Sequence, residues 1–142
     1  MIITSPNNEI GTDEIKKTIA SKVNKNRDFF YFDSLGFDFY HQVLRHTLFV
    51  IGNSSSGIVE VPYYKIPTVN IGIRQKNRLR HESIIDVDYS KSSIKKGILK
   101  ATELKFRNRL KKMKFKFGNG RSAQKIEKLL SNYKKIKNIM LK

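Results

Sequence analysis

The 142-residue sequence predicts an α/β fold, a parallel sheet with flanking helices, and three observations predict it. Through residues 1–90 short apolar runs alternate with amphipathic stretches, the order of successive βαβ units. One of those runs, Leu48-Phe49-Val50-Ile51, is unbroken and stops at Gly52, the pattern of a strand buried on both faces. With 39% hydrophobic residues the chain can bury the core of one domain, and it contains no internal repeat.

The elements follow in order. Met1 to Thr4 reads as a short strand, and Ser5-Pro6-Asn7-Asn8 as a turn, because proline presets φ and asparagine tolerates unusual backbone angles. Thr12 suits an N-cap, with Asp13 and Glu14 at the positive end of the helix that follows. Ile15, Ile19 and Val23 recur every four residues and give that helix one apolar face. Phe29 to Phe32 is an aromatic run suited to a strand. Phe37 to His46 reads as a helix with Phe39, Val43 and Leu44 inward. After the strand at 48–51 and the polar stretch Asn53-Ser54-Ser55-Ser56-Gly57, Ile58 to Tyr64 reads as a helix. Pro67 to Ile71 is a strand, residues 72–82 a basic loop, Ile84 to Val87 a strand, and Ser92 to Glu103 a helix. Ile126, Leu129, Leu130, Tyr133 and Ile136 mark a C-terminal amphipathic helix.

Composition excludes several classes. The chain has no cysteine, so it can form neither a disulfide framework nor a thiolate metal site. No apolar run approaches the roughly 18 residues of a membrane span, and the N-terminus lacks the pattern of a signal peptide, so a cytoplasmic location is expected. The net charge of +17 raises the question of nucleic acid. Residues 1–90 carry 11 basic and 10 acidic side chains, whereas residues 91–142 carry 18 and 2. The excess is densest from Lys105 to Lys116, where cations interleave with Phe106 and Phe115. Lysine outnumbers arginine 21 to 8 and isoleucine outnumbers alanine 17 to 3, a compositional drift that fills solvent-facing positions with lysine. No RNA-platform signature accompanies the charge. Solvated surface is therefore the expected role of 105–116, and a basic nucleic-acid-binding module is the less favoured alternative.

The segment that carries chemistry is the strand, the turn Gly52 to Gly57, and the helix after it. In an open parallel sheet, ligands bind beyond the carboxyl ends of the strands. A helix N-terminus there offers backbone N–H groups to a phosphate, and three serines add hydroxyls. The turn is neither a Walker A sequence nor a Gly-x-Gly-x-x-Gly fingerprint. Glu60, one helical turn on, can accept hydrogen bonds from both hydroxyls of a ribose, or else return to the backbone of Ser56 or Gly57 as a capping-box residue. The next strand delivers Arg74 and Gln75 to the same edge, and an arginine suits a base edge or a phosphate. His41, His46 and His81 lack metal-ligand spacing, and solvated or capping roles are expected for them. Together these residues suggest a nucleoside diphosphate site.

Four stretches carry a resemblance that covers about residues 2–135. They are Ser5-Pro6-Asn7, the segment Val50 to Glu60, the segment Ile66 to Arg78, and Phe117-Gly118-Asn119-Gly120-Arg121-Ser122. In these the chain resembles the hydrolysing UDP-N-acetylglucosamine 2-epimerases, and within them the sialic-acid branch. The resemblance implies a Rossmann-like fold, the truncated C-terminal half of a two-domain GT-B architecture that closes over a sugar nucleotide. It implies a UDP-binding domain over residues 1–135 and a basic tail over 136–142. The expected UDP site comprises Asn53, Ser54, Ser55, Ser56, Gly57, Glu60, Gly72, Arg74 and Gln75. Ser54 and Ser55 would hold the diphosphate, Glu60 the ribose, and Arg74 with its neighbours the uracil. Gly72 and Gln75 belong to the matching loop.

The family converts UDP-N-acetylglucosamine to N-acetylmannosamine and UDP, and the resemblance implies no cofactor and no metal. Its acid/base carboxylates lie in the N-terminal domain, so no catalytic residue is expected here and the chain alone is expected not to epimerise. The His-Pro segment that opens the family's C-terminal domain has no counterpart. An N-terminal catalytic domain as partner, or self-association through an unpaired sheet edge, is expected. A glycosyltransferase C-terminal half of the same architecture is the alternative within the fold.

Overall fold

A computed structural model describes residues 1–7 and 10–131. Asn8 of the expected first turn, Tyr133 and Ile136 of the expected last helix, and the basic tail at 136–142 lie outside the described residues. The chain divides into two compact units, Met1–His46 and Thr47–Lys142.

The first unit contains strand β1 (Ile2–Thr4), helix α1 (Thr12–Asn24), strand β2 (Phe30–Phe32) and helix α2 (Phe37–Arg45). β1 and β2 pair in parallel, Ile2 opposite Phe30 and Thr4 opposite Phe32. Two expectations change here. Thr12 is the first helical residue and not the cap: Gly11, at φ +86°, holds the cap position, and the Thr12 hydroxyl donates to the Asn7 carbonyl at 2.6 Å. That hydroxyl ties the helix back to the preceding turn, a short-range competition between side chain and backbone. In α2 Leu44 is buried and Val43 half-buried, but Phe39 is exposed. On α1, Ile19 and Val23 are half-buried while Ile15 is exposed.

The second unit contains β3 (Val50–Gly52), the single-turn helix α3 (Ser56–Val59), a 3-10 turn (Val61–Tyr64), β4 (Thr68–Ile71) and β5 (Ile84–Val87). Helices α4 (Lys91–Thr102), α5 (Leu104–Leu110) and α6 (Ser122–Leu130) follow. The three strands form one parallel sheet in the order β3-β4-β5. Gly52 stands opposite Asn70 and Asn70 opposite Asp86, so the loops leaving all three strands emerge from one edge. The expected strand at 48–51 begins two residues later and is not buried on both faces. Leu48, which precedes the strand, and Ile51 are exposed, and among the described residues β3 stands at the edge of the sheet, paired with β4. The expected helix at 58–64 starts earlier and tightens after Val59. Pro62 has no N–H to donate to Ile58, so the α-ladder cannot continue.

The core of this unit lies between the sheet and the helices after it. Val69, Ile85 and Val87 pack with Ala101, Phe106, Leu110 and Met113. Gly97 of α4 lets the helix sit on the strands, since a Cβ there would stand 2.7 Å from Val87 Cγ1 and 3.0 Å from Val69 Cγ1. The basic stretch 105–116 resolves into an amphipathic element. Phe106, Leu110 and Met113 turn inward at spacings of four and three, while the cations between them are largely exposed. The Arg109 guanidinium and the Lys100 ammonium lie 5.2 and 5.5 Å from the Phe106 ring centroid and cover its outer side. On α6, Ile126, Leu129 and Leu130 are all exposed.

Candidate functional site

The carboxyl edge of the three-stranded sheet gathers three loops. After β3, Gly52 (φ +148°) leads into Asn53-Ser54-Ser55. Ser54 organises the turn: its Oγ accepts from the Ser56 N–H at 3.3 Å and its carbonyl from the Gly57 N–H at 3.2 Å. The Ser55 carbonyl accepts from the N–H groups of Ile58 and Val59. The helix expected to offer bare amides is thus a single turn whose first N–H groups already bond to Ser54. A ligand anion would compete with that serine for them.

Gly57 is a packing glycine. A Cβ there would lie 2.7 Å from Thr68 Cγ2, and the Thr68 hydroxyl donates to the Gly57 carbonyl at 2.9 Å in a buried contact. This fixes the serine turn against β4. Glu60 does not return to the backbone as a capping-box residue would; its Oε2 accepts from the Ser56 hydroxyl at 2.9 Å, one helical turn away. Both side chains lie at the surface, so the carboxylate keeps acceptor capacity for further hydroxyls.

The loop after β4 starts at Gly72 (φ +74°), whose N–H donates to the Val87 carbonyl at 2.8 Å. Arg74 is exposed on this loop. Gln75 is buried, and its Nε2 donates to the Asn53 carbonyl at 2.8 Å. The third loop supplies Tyr89. Its ring lies against Gly72, where a Cβ would stand 2.3 Å from it, and its hydroxyl accepts from the Ile73 N–H at 3.4 Å. Beside it Asp88 takes hydrogen bonds from the Ser90 hydroxyl and N–H, which hold its carboxyl below the usual carboxylate range.

The far end of the second loop is pinned by His81, for which a solvated or capping role is expected from the sequence, and by Arg80. His81 is 2% exposed, not solvated. Its ring stacks on Phe115 (centroids 5.2 Å apart, 16° between planes) and its Nε2 accepts from the Lys116 N–H at 2.9 Å. Burial first, and the Lys116 charge second, push its pKa below 6.5. Arg80 bonds to Asp86, and Asp86 accepts from the Asn70 amide at 2.6 Å. Among the described residues no group of three His, Cys, Asp or Glu side chains could hold a metal ion. Two open clefts of about 490 and 460 Å³ flank α5, one lined by Lys100, Phe106 and Arg109 and the other by Tyr64, Pro67 and Arg107. Neither includes a residue of the serine turn.

With this edge in view, the sequence profile of the UDP-N-acetylglucosamine 2-epimerase family matches residues 1–131. The chain belongs to that family.

Individual relatives agree. A UDP-N-acetylglucosamine 2-epimerase of Neisseria meningitidis is 37% identical over 99 residues, 70% of this chain and 26% of the relative. The polysialic acid biosynthesis protein P7 of Escherichia coli is 38% identical over 105 residues, 74% of this chain and 27% of the relative. A GDP/UDP-N,N'-diacetylbacillosamine 2-epimerase (hydrolyzing) of Campylobacter jejuni is 53% identical over 55 residues, 39% and 14% of the two chains. The chain of this epimerase-family member therefore spans about a quarter or less of the length of these relatives. No helix among the described residues is long and apolar enough to cross a membrane.

Of the residues expected at the site, the fold brings Asn53, Ser54, Ser55, Ser56, Gly57, Glu60, Gly72, Arg74 and Gln75 to the loops of one sheet edge. Tyr89, which the sequence reading did not single out, packs at the same edge. Tyr89 follows β5 as Gly72 follows β4, so its place after a strand's carboxyl end was the signal available in the sequence.

Proposed function

We propose that this chain is the UDP-binding part of a hydrolysing UDP-N-acetylglucosamine 2-epimerase of the sialic-acid branch. The observation that carries this reading is the linkage of the three loops. Gln75 to Asn53 and Ile73 to Tyr89 hold the serine turn and the Arg74 loop together at the carboxyl edge, where parallel sheets take nucleotides. In this reading the backbone and hydroxyls of Ser54, Ser55 and Ser56 take the diphosphate, with Gly57 keeping the turn against β4. Glu60 accepts from the ribose hydroxyls, and Arg74 faces the uracil edge. The domain extends over residues 1–135 as half of a GT-B-like pair, with 136–142 a basic tail.

The chemistry of 2-epimerisation needs a base to remove the proton at C2 and an acid to return it. We assign no residue of this chain to that work. It falls to a catalytic domain paired with this one, so the chain binds UDP and UDP-N-acetylglucosamine without turning the sugar over.

Calorimetric titration with UDP tests the reading. The wild-type chain is expected to bind saturably. Glu60→Ala, which loses charge-assisted bonds to two hydroxyls, is expected to weaken binding about 10- to 100-fold. A wild-type chain that is folded by circular dichroism and takes up no UDP would overturn the proposal.

A further inference from the structure

The bond that joins the first two loops is made by a side chain poorly suited to mere packing. Gln75 is 3% exposed, and while its Nε2 donates to the Asn53 carbonyl, its Oε1 is buried with no hydrogen-bond partner. A buried acceptor without a donor is destabilising, so an apolar side chain of similar size would serve the packing better. What the glutamine contributes is the bond to Asn53, 22 residues earlier in the chain.

That bond acts on a particular peptide unit. The Asn53 carbonyl and the Ser54 N–H belong to the same plane, which is trans. In a planar trans unit the two groups point in opposite directions, so holding the carbonyl also aims the N–H. This plane turns about ψ of Asn53 and φ of Ser54, both exposed residues, and one residue earlier Gly52, at φ +148° in a region open to glycine, adds freedom to the segment that carries it. Downstream, Ser54 makes both bonds that shape the turn, through its Oγ to Ser56 and its carbonyl to Gly57. Gln75 therefore clamps the hinge from which the serine turn is built.

We propose that Gln75 is a positioning residue: it sets the direction of the Ser54 N–H and the serine turn for the diphosphate through Asn53, without touching the ligand. This rests on the nucleotide reading above and deepens it.

The test uses the full chain and UDP, with calorimetry from pH 8 to pH 5 on wild type, Gln75→Leu and Gln75→Glu. Leucine removes the clamp and the unpartnered acceptor together and so preserves packing; its UDP affinity is expected to fall about tenfold at every pH. Glutamate sets a carboxylate against the Asn53 carbonyl at pH 8, and burial raises its pKa so that protonation restores a donor at low pH. Its deficit relative to wild type is expected to be about tenfold at pH 8 and to close to within about threefold at pH 5. A merely structural role would not produce that recovery. Folded Gln75→Leu with wild-type affinity, or a Gln75→Glu deficit that does not change with pH, would overturn the positioning role alone. Wild type that binds no UDP would overturn the nucleotide reading and this proposal with it.

Discussion

The two compact units apply one recipe, parallel strands with helices between them, and reach different ends. In Met1–His46 the β1–β2 pair is three residues long, Phe30 is 55% exposed, and only Thr12 and Leu44 are buried among its described residues. In Thr47–Lys142 the central strand β4 has Thr68, Val69 and Asn70 buried, and seven side chains from strands and helices close into one core. Both units carry helices, but the second adds a third strand and packs Ala101 of α4 and Phe106 and Leu110 of α5 onto the sheet as one core. Two strands alone cannot shield a face from water, whereas a sheet covered by α4 and α5 can. The proposed nucleotide site belongs to the better-packed unit, which suits a turn proposed to hold its geometry before a ligand arrives.

The widest separation between the units is expected from truncation of apolar residues. Leu110→Ala, at a fully buried position, should lower stability by about 2–5 kcal/mol. Phe30→Ala should change it by less than about 1 kcal/mol. Urea unfolding followed by circular dichroism measures both, and equal losses would erase the contrast. Next in size is Gly57→Ala, which drives a methyl onto the buried, hydrogen-bonded Thr68 side chain. It should lower stability by about 1–3 kcal/mol and weaken UDP binding, because the serine turn can no longer sit against β4.

The smallest effect is a pH dependence. His81 has a folded pKa below 6.5, so the unfolded chain binds the extra proton. Its contribution is complete above about pH 6.5 and declines as pH falls, with a slope of at most about 1.4 kcal/mol per pH unit. His81→Gln, which keeps an acceptor for the Lys116 N–H, should remove this component from the pH-stability profile. An unchanged profile would show that His81 is protonated equally in both states.

Much of the molecule was legible in the residues because local pattern and local structure coincide. The expected strands at 1–4, 29–32 and 67–71 form with one residue fewer at the start, that at 84–87 forms as expected, and the four-residue spacing of Ile15, Ile19 and Val23 is a helix. The serine turn could be located because a strand, a Gly-bounded polar stretch and a helix follow in that order. The errors fall where a partner distant in sequence decides. Leu48 and Ile51 look like core residues until β3 proves to be an edge strand. His81 reads as a solvated or capping residue until Phe115 and Lys116 close over it from 34 and 35 residues away. The run of cations at 105–116 masked the core positions Phe106, Leu110 and Met113, because charge is counted along the chain and burial is not.

By itself, then, the sequence determined the α/β class, the order of most elements, the family and the place of the serine turn. Each rests on short stretches read one at a time, where spacing and backbone preference speak directly, and on the order in which those stretches follow along the chain. Only the tertiary structure decided that the parallel strands form two sheets, that Gln75 clamps Asn53, and that Tyr89 closes against Gly72. The Gln75–Asn53 and Tyr89–Gly72 contacts join residues 22 and 17 positions apart, and what selects them is the register of β3, β4 and β5, which aligns three loop origins at one edge.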